Sequence, residues 1–291
     1  MKSITRILKT KIHLYWSLTK SLQTGLLLST GVAGYMSARC PVMHWMTLLG
    51  LVVSLFLAIA GSTVINMWHD RDIDAQMKRT CNRPLPAGQV SARVALRFGL
   101  ILSALGVSMA VAMSSLYGLV VFAGLFIDVI VYTLWLKRRT AWSIVWGGIA
   151  GSMPILAGRV LGAGKIDGVG ILLASAVLFW IPTHILTFAM RNVEDYKAAG
   201  IPTLASSYGF KVTRLVIAMS SVLVALSISA AGILTELAWG YLRVMAVMSG
   251  GLLILVVASL ARPSERINFG LFKYASLYML AAMILLSLGA S

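Results

Sequence analysis

The sequence is short of charge. Only 12% of its 291 residues are Asp, Glu, Lys or Arg, where a soluble domain carries about 25%. It holds two cysteines and seven prolines. Two cysteines exclude a disulfide scaffold. With so little proline and no low-complexity tract, there is no linker on which to divide the chain, and one membrane domain over 1–291 is expected. Acids are scarcest, nine against 25 Lys and Arg, for a net charge of +16. Apolar residues are what is abundant, at 59%, with a mean hydropathy of +0.88. No soluble core absorbs that much apolar sequence, so most of it must face lipid or other buried helices. A soluble enzyme and a disordered chain are excluded. In a soluble protein +16 would suggest nucleic acid. In a membrane chain it points to loops on the cytoplasmic face, and no nucleic-acid partner is expected.

A spanning helix needs about 20 mostly apolar residues. Nine candidates appear, at 20–38, 43–65, 94–112, 115–136, 142–161, 168–190, 212–234, 238–260 and 269–289. Their runs are continuously apolar, which excludes the alternating pattern of a β-barrel. The first is not expected to be a cleaved signal, since it opens a regular series. Assigned to alternating sides, 21 of the 25 basic residues fall with the N-terminus, leaving Arg39, Arg159, Lys165 and Arg243 opposite. The bias predicts an integral membrane protein with a cytoplasmic N-terminus and an outside C-terminus. Cys40 and Cys81 then lie on opposite faces and cannot pair.

Two cytoplasmic loops are long, 66–93 and 191–211, and long loops tend to carry function. Five of the nine acids sit in them: Asp70, Asp72 and Asp74 in the first, Glu194 and Asp195 in the second. Asp128, Asp167, Glu236 and Glu265 are scattered. Asn66, Asp70 and Asp74 are spaced by four, so a continuing helix projects them from one face. An amide and two carboxylates suit Mg²⁺, which takes hard oxygen ligands and keeps water and phosphate oxygens. A solvated helix end, with the acids paired to Arg71, Lys78 or Arg79, fits the same spacing. Asp72 points elsewhere and is placed to orient an Arg. Arg79 and Arg83 follow at once, and cations beside a metal site hold a diphosphate. The second segment, Arg191 to Pro202, either provides a second Mg²⁺ site across a shared cleft or is a helix-end charge pair. Lys137 closes an apolar run at Tyr132-Thr-Leu-Trp-Leu, as a phosphate grip or as part of an interfacial aromatic and basic belt.

The block NMWHDRDIDAQMKRTCNRPLPAG (66–88) resembles the first aspartate-rich motif of the UbiA superfamily of intramembrane prenyltransferases. Its DRDID-xx-M-x-RT-xx-RPLP form is similar to that of the heme o synthase branch. So are YTLWLKRRTAWSIVWGGIAGSMPILAG (132–158) and EDYKAAGIPTL (194–204). The resemblance spans about residues 14–210. It implies nine helices around a central cavity open to the cytoplasm and to lipid. It implies that Asn66, Asp70 and Asp74 hold Mg²⁺ and diphosphate, that Glu194 and Asp195 serve a second metal, and that Arg79, Arg83 and Lys137 contact the diphosphate. The implied reaction joins farnesyl diphosphate to the 2-vinyl group of heme b. Among the aromatics, Tyr132 is either the ring facing the carbocation or an interfacial tyrosine, and His184 is a candidate heme ligand. Two positions depart from the pattern. Arg191 stands where the superfamily often has a carboxylate four before Asp195, and WIPTHILTFAM replaces a Pro-His-aromatic run around His184. For His184 a hydrogen bond across helices stands beside the heme-contact reading; His69 is the other candidate heme contact. A heme-pathway protein partner is a further expectation. The competing readings are a prenyltransferase acting on a quinone precursor or other aromatic, and a secondary transporter. Transporters place their sites near the midplane on broken, repeated helices, whereas these acids cluster at one face.

Overall fold

The computed structural model describes residues 13–38 and 44–289. Lys2, Arg6, Lys9, Lys11, Arg39 and Cys40, which enter the orientation and cysteine arguments, lie outside the described residues. Within them the apolar runs are helices, because a backbone surrounded by apolar groups must satisfy its own N–H and C=O groups. In chain order these are α1 (Ser21–Met36), α2 (Trp45–His69), the short α3 (Arg71–Gln76), α4 (Ala92–Met113) and α5 (Ser115–Phe126). Then come α6 (Ser143–Ala163), α7 (Gly168–Arg191), the short α8 (Val193–Ala198), α9 (Leu204–Leu234), α10 (Trp239–Ala261) and α11 (Glu265–Gly289).

Eight helical segments among the described residues are long and apolar enough to cross a membrane. The ninth expected span is the first, α1, which runs from the end of the bundle where Lys20 meets Arg83 and Asp74 to the end where Ser37 meets Arg159. α1 has 16 residues, about 24 Å at 1.5 Å per residue, short of a hydrocarbon core of about 30 Å. It still packs as a full member of the bundle. Long helices that follow one another in sequence lie side by side, α11 returns to α1, and α1 crosses α6. That crossing is close: a Cβ on Gly158 would collide with the Gly31 carbonyl, and one on Gly34 with that of Ile155. Small residues let helices approach this way where no hydrophobic effect drives them together.

The span at 115–136 is not one α-helix. After Phe126 the chain widens into a π-helix, Ile127–Leu136, whose bonding ends with the Lys137 N–H donating to the Tyr132 carbonyl at 2.8 Å. The loop expected at 191–211 contains α8 and the start of α9, which bends at Gly209. There φ is 79° and ψ 169°, a backbone that only glycine adopts readily.

At the end of the bundle away from the two acidic loops, one arginine ties three helices. Arg159 of α6 donates to the Ser37 carbonyl at the end of α1, and its Nη2 donates to Asp167 Oδ2 at 2.6 Å. Asp167 is also the N-cap of α7, accepting from the Gly170 N–H at 2.8 Å. Burial pushes the Asp167 carboxyl up, but Arg159 and the Gly170 N–H outweigh it and hold it below the usual 3.8. A depressed folded value means stability that is present above the unfolded value and lost as pH falls through the folded one. Asp167→Asn should therefore lower the thermal midpoint in detergent at pH 7, and its gap to wild type should close as pH drops below about 4. A gap that stays constant with pH would show that the charge contributes nothing.

Candidate functional site

α2 breaks at Asp70, where φ is −85° and ψ 2°. The helical bonding still carries across the break. The Asp70 N–H donates to the Asn66 carbonyl at 2.9 Å and the Asp74 N–H to the Asp70 carbonyl at 2.8 Å. Asn66, Asp70 and Asp74 thus keep the spacing read from sequence. Asp70 and Asp74 are only 6% and 4% exposed, and buried carboxylates require partners. The partners are not Arg71, Lys78 or Arg79. Lys137 donates to Asp70 Oδ2, and Arg83 Nη1 donates to Asp74 Oδ2 at 2.7 Å. Thr80, fully buried, donates to the Asp74 carbonyl at 2.9 Å. That bond folds the loop back so that Arg83 reaches its carboxylate.

Asp72 turns the other way, as its spacing predicts, and takes Arg138 in a fork of two 2.7 Å bonds. That hydrogen bonding pulls the Asp72 carboxyl down to about 2. Arg138 also donates to the His69 carbonyl at 2.8 Å, so it fastens the end of the π-helix to the end of α2. Burial works against the Lys137 ammonium, but Tyr132 and Asp70 outweigh it and raise it above the usual lysine range. Its nitrogen lies 5.7 Å over the Tyr132 ring.

The second loop docks on the first. Ala199 and Ile201 pack with Ile73 and Met77, and Tyr196 lies against them. Within it Glu194 is solvent-facing and paired with Lys197 at 3.0 Å, while Asp195 is half-buried. Among the described residues no three His, Cys, Asp or Glu groups converge on one point. Arg79 is exposed and holds its guanidinium 5.0 Å over Phe188 of α7. His184, one turn earlier on α7, is sandwiched between Trp180 and Phe272 at 4.9 and 4.5 Å, and its Nδ1 pairs with Ser276 Oγ at 3.1 Å. This is the cross-helix hydrogen bond weighed above. His69 Nε2 is buried without a partner. Cys81 is a free thiol.

Several site neighbours are not evident from the sequence. Asp128 and Thr133 of the π-helix both bond the Asn66 amide. An acid in an apolar span is a signal in itself. Lys20, just ahead of α1, is a third cation here and has the left-handed φ of 45°. Burial, then the neighbouring Arg83 and Lys137, push its ammonium down to about 8 against the pull of Asp74 and Asp70.

The donor set fits Mg²⁺. Asp70 Oδ1 is buried and has no hydrogen-bond partner, which is a site for a cation rather than for another acceptor. A cation bound here would take few protein oxygens, and Mg²⁺ is usually held by one or two carboxylates together with substrate phosphates. Lys137, Arg83 and Lys20 beside it suit a polyanion. The two kinds of ion pair should respond differently to truncation. Lys137→Met leaves Asp70 buried and uncompensated and should cost about 3–5 kcal/mol. Arg138→Met breaks an exposed pair and should cost less than about 1 kcal/mol. Thermal melts in detergent compare them, and equal shifts would contradict the burial argument.

Residues 27–286 match the UbiA prenyltransferase family. Over 192 residues the chain is 45% identical to a protoheme IX farnesyltransferase of Archaeoglobus fulgidus, covering 66% of this chain and 67% of that one. Over 241 residues it is 39% identical to the protein of that name from Thermofilum pendens, covering 81% and 85%. Among solved structures it is similar to a digeranylgeranylglyceryl phosphate synthase, with a TM-score of 0.80 at 20% identity over 97% of this chain and 99% of that one. It is also similar to a UbiA homologue of Archaeoglobus fulgidus bound to GPP and Mg²⁺, with a TM-score of 0.70 at 17% identity over 94% and 99%. The solved structures share the all-helical fold; the family match and the curated relatives place the sequence. The chain belongs to the UbiA prenyltransferase family and is a multi-pass membrane transferase.

Proposed function

We propose that this enzyme transfers a farnesyl group from farnesyl diphosphate to the 2-vinyl group of heme b, giving heme o, with Mg²⁺ as cofactor. The observation that carries the diphosphate half is Asp70, whose free buried oxygen sits beside Lys137, Asp74 and Arg83. The acceptor rests on the relatives of about 40% identity, which carry the name protoheme IX farnesyltransferase. A cavity of about 220 Å³ lies between α7 and α11, lined by Phe188, Phe269, Phe272, Asn268 and Arg191. Arg191 and Lys273 both lie over the Phe269 ring, at 4.1 and 4.6 Å.

In this mechanism Asn66, Asp70 and Asp74 hold Mg²⁺, which supplies Lewis-acid stabilisation of the diphosphate oxygens. Lys137 and Arg83 exchange their carboxylates for phosphate oxygens, and Lys20 and Arg79 complete the anion site. The allylic C–O bond breaks with its electron pair leaving on the diphosphate. Tyr132 offers its ring face to the allylic cation. The vinyl π pair attacks the farnesyl carbon, water adds to the resulting cation on the heme side, and a proton is released. The apolar helix walls keep bulk water from the allylic cation until the carbon bond forms. His184 holds a wall of the acceptor side through its aromatic stack. Glu194 and Asp195 are placed on the docked second loop, from which they serve a second metal once substrate is bound. The basic bias puts the N-terminus and both loops in the cytoplasm, where a heme-pathway protein would deliver the acceptor.

Purified protein incubated with heme b, farnesyl diphosphate and Mg²⁺ should yield a heme heavier by one hydroxyfarnesyl addition, read by mass spectrometry. Asp74→Asn should lower turnover by at least about 100-fold, the scale of losing a preorganised charge contact. Prenylation of 4-hydroxybenzoate with heme left unchanged would transfer the assignment to another aromatic acceptor. Uptake without diphosphate release would indicate a transporter.

A further inference from the structure

Asp128 lies on the π-helix, one turn deeper in the bundle than Tyr132. Among the described residues its donors are neutral: Ser62 Oγ donates to its Oδ2, and so does Asn66 Nδ2, at 3.0 Å. On the other side of the same amide, the Thr133 hydroxyl donates to Asn66 Oδ1 at 2.7 Å. An ionised carboxylate can only accept, so it fixes the Asn66 NH₂ toward itself. The amide oxygen then faces away from Asp128, where the Thr133 hydroxyl reaches it. One lone pair of that oxygen serves Thr133 and the other is left over.

The winding is what makes this contact. Asp128 and Lys137 are nine positions apart. At about 3.6 residues per turn that is two and a half turns, and the two would face opposite ways. At the roughly 4.4 residues per turn that i to i+5 bonding gives, it is about two turns. Asp128, Thr133 and Lys137 therefore face α2 together. Ser62 and Asn66 meet the first two, and Asp70 meets the third.

We propose that Asp128 is a positioning residue: it sets the orientation of the Asn66 amide so that Oδ1, not Nδ2, is presented to the cation site. This rests on the reading of Asn66 as a metal ligand. Groups that orient metal ligands typically change affinity by 10–100-fold when removed. The test is direct binding of Mn²⁺, followed by electron paramagnetic resonance, in the presence of a farnesyl diphosphate analogue with sulfur at the scissile bond. Asp128→Ala should weaken Mn²⁺ binding by about tenfold or more. Asp128→Asn has the same shape, but its amide can turn and donate to the Asn66 oxygen, so it should also weaken Mn²⁺ binding by about tenfold or more. It also covers the case in which the alanine variant fails to fold. Wild-type Mn²⁺ affinity in Asp128→Ala overturns the proposal. So does wild-type affinity in Asp128→Asn, whose amide no longer fixes which way Asn66 points. Asn66→Ala separates the two levels. If it weakens Mn²⁺ binding while Asp128→Ala does not, the positioning role alone fails. If it has no effect, the metal-ligand reading fails with it.

Discussion

Burying a carboxylate at the end of an apolar bundle is allowed only with a partner supplied at close range. Asp70 and Asp74 meet that condition through Lys137 and Arg83, and much of the local architecture exists to deliver those cations. Thr80 folds the first loop back to bring in Arg83. Arg138 joins the end of the π-helix to the end of α2, beside the Lys137–Asp70 pair. The second loop is pressed onto the first through Ile73, Met77, Ala199 and Ile201. In the proposed reaction the same pairs are exchangeable: phosphate takes the bases and Mg²⁺ takes the acids. The resting site keeps its charges neutralised without losing them to water.

The bundle supplies rigidity in two different ways. At the site end, charge pairs and a π-helical register align α2 with the widened end of α5. At the far end, Arg159 links α1, α6 and α7 through Ser37 and Asp167. Between them, the glycine crossing of α1 and α6 fixes the spacing. Neutral, close packing carries the middle of the bundle, and the ion pairs among the described residues lie at its ends. That division follows from the expense of a charge in an apolar environment.

The fold was largely legible in the sequence, because continuous apolar runs leave the backbone little choice but helix. The Asn66-Asp70-Asp74 spacing also survives into the structure, as does the turn of Asp72 toward an arginine. What the sequence hid came from departures from regular α-geometry. Counting at 3.6 residues per turn puts Asp128 on the wrong side of its helix, so it looked like a stray acid. Lys20 looked like one more basic residue flanking a span, since only the tertiary packing brings it beside Arg83. The first expected span, 20–38, corresponds to α1, whose helix runs from Ser21 to Met36. The acids of the second loop illustrate the converse. Their sequence neighbourhood links them to the first loop, and the loops do touch, but Glu194 points outward to Lys197.

The central claim is that the Asp70–Lys137 and Asp74–Arg83 pairs are the resting form of a metal and diphosphate site. A structure of the protein with Mg²⁺ and an uncleavable farnesyl diphosphate analogue tests it directly. The account predicts a cation bound through Asn66, Asp70 and Asp74, with Lys137 and Arg83 moved from their carboxylates onto the diphosphate. A diphosphate bound elsewhere, with both ion pairs intact, would contradict it.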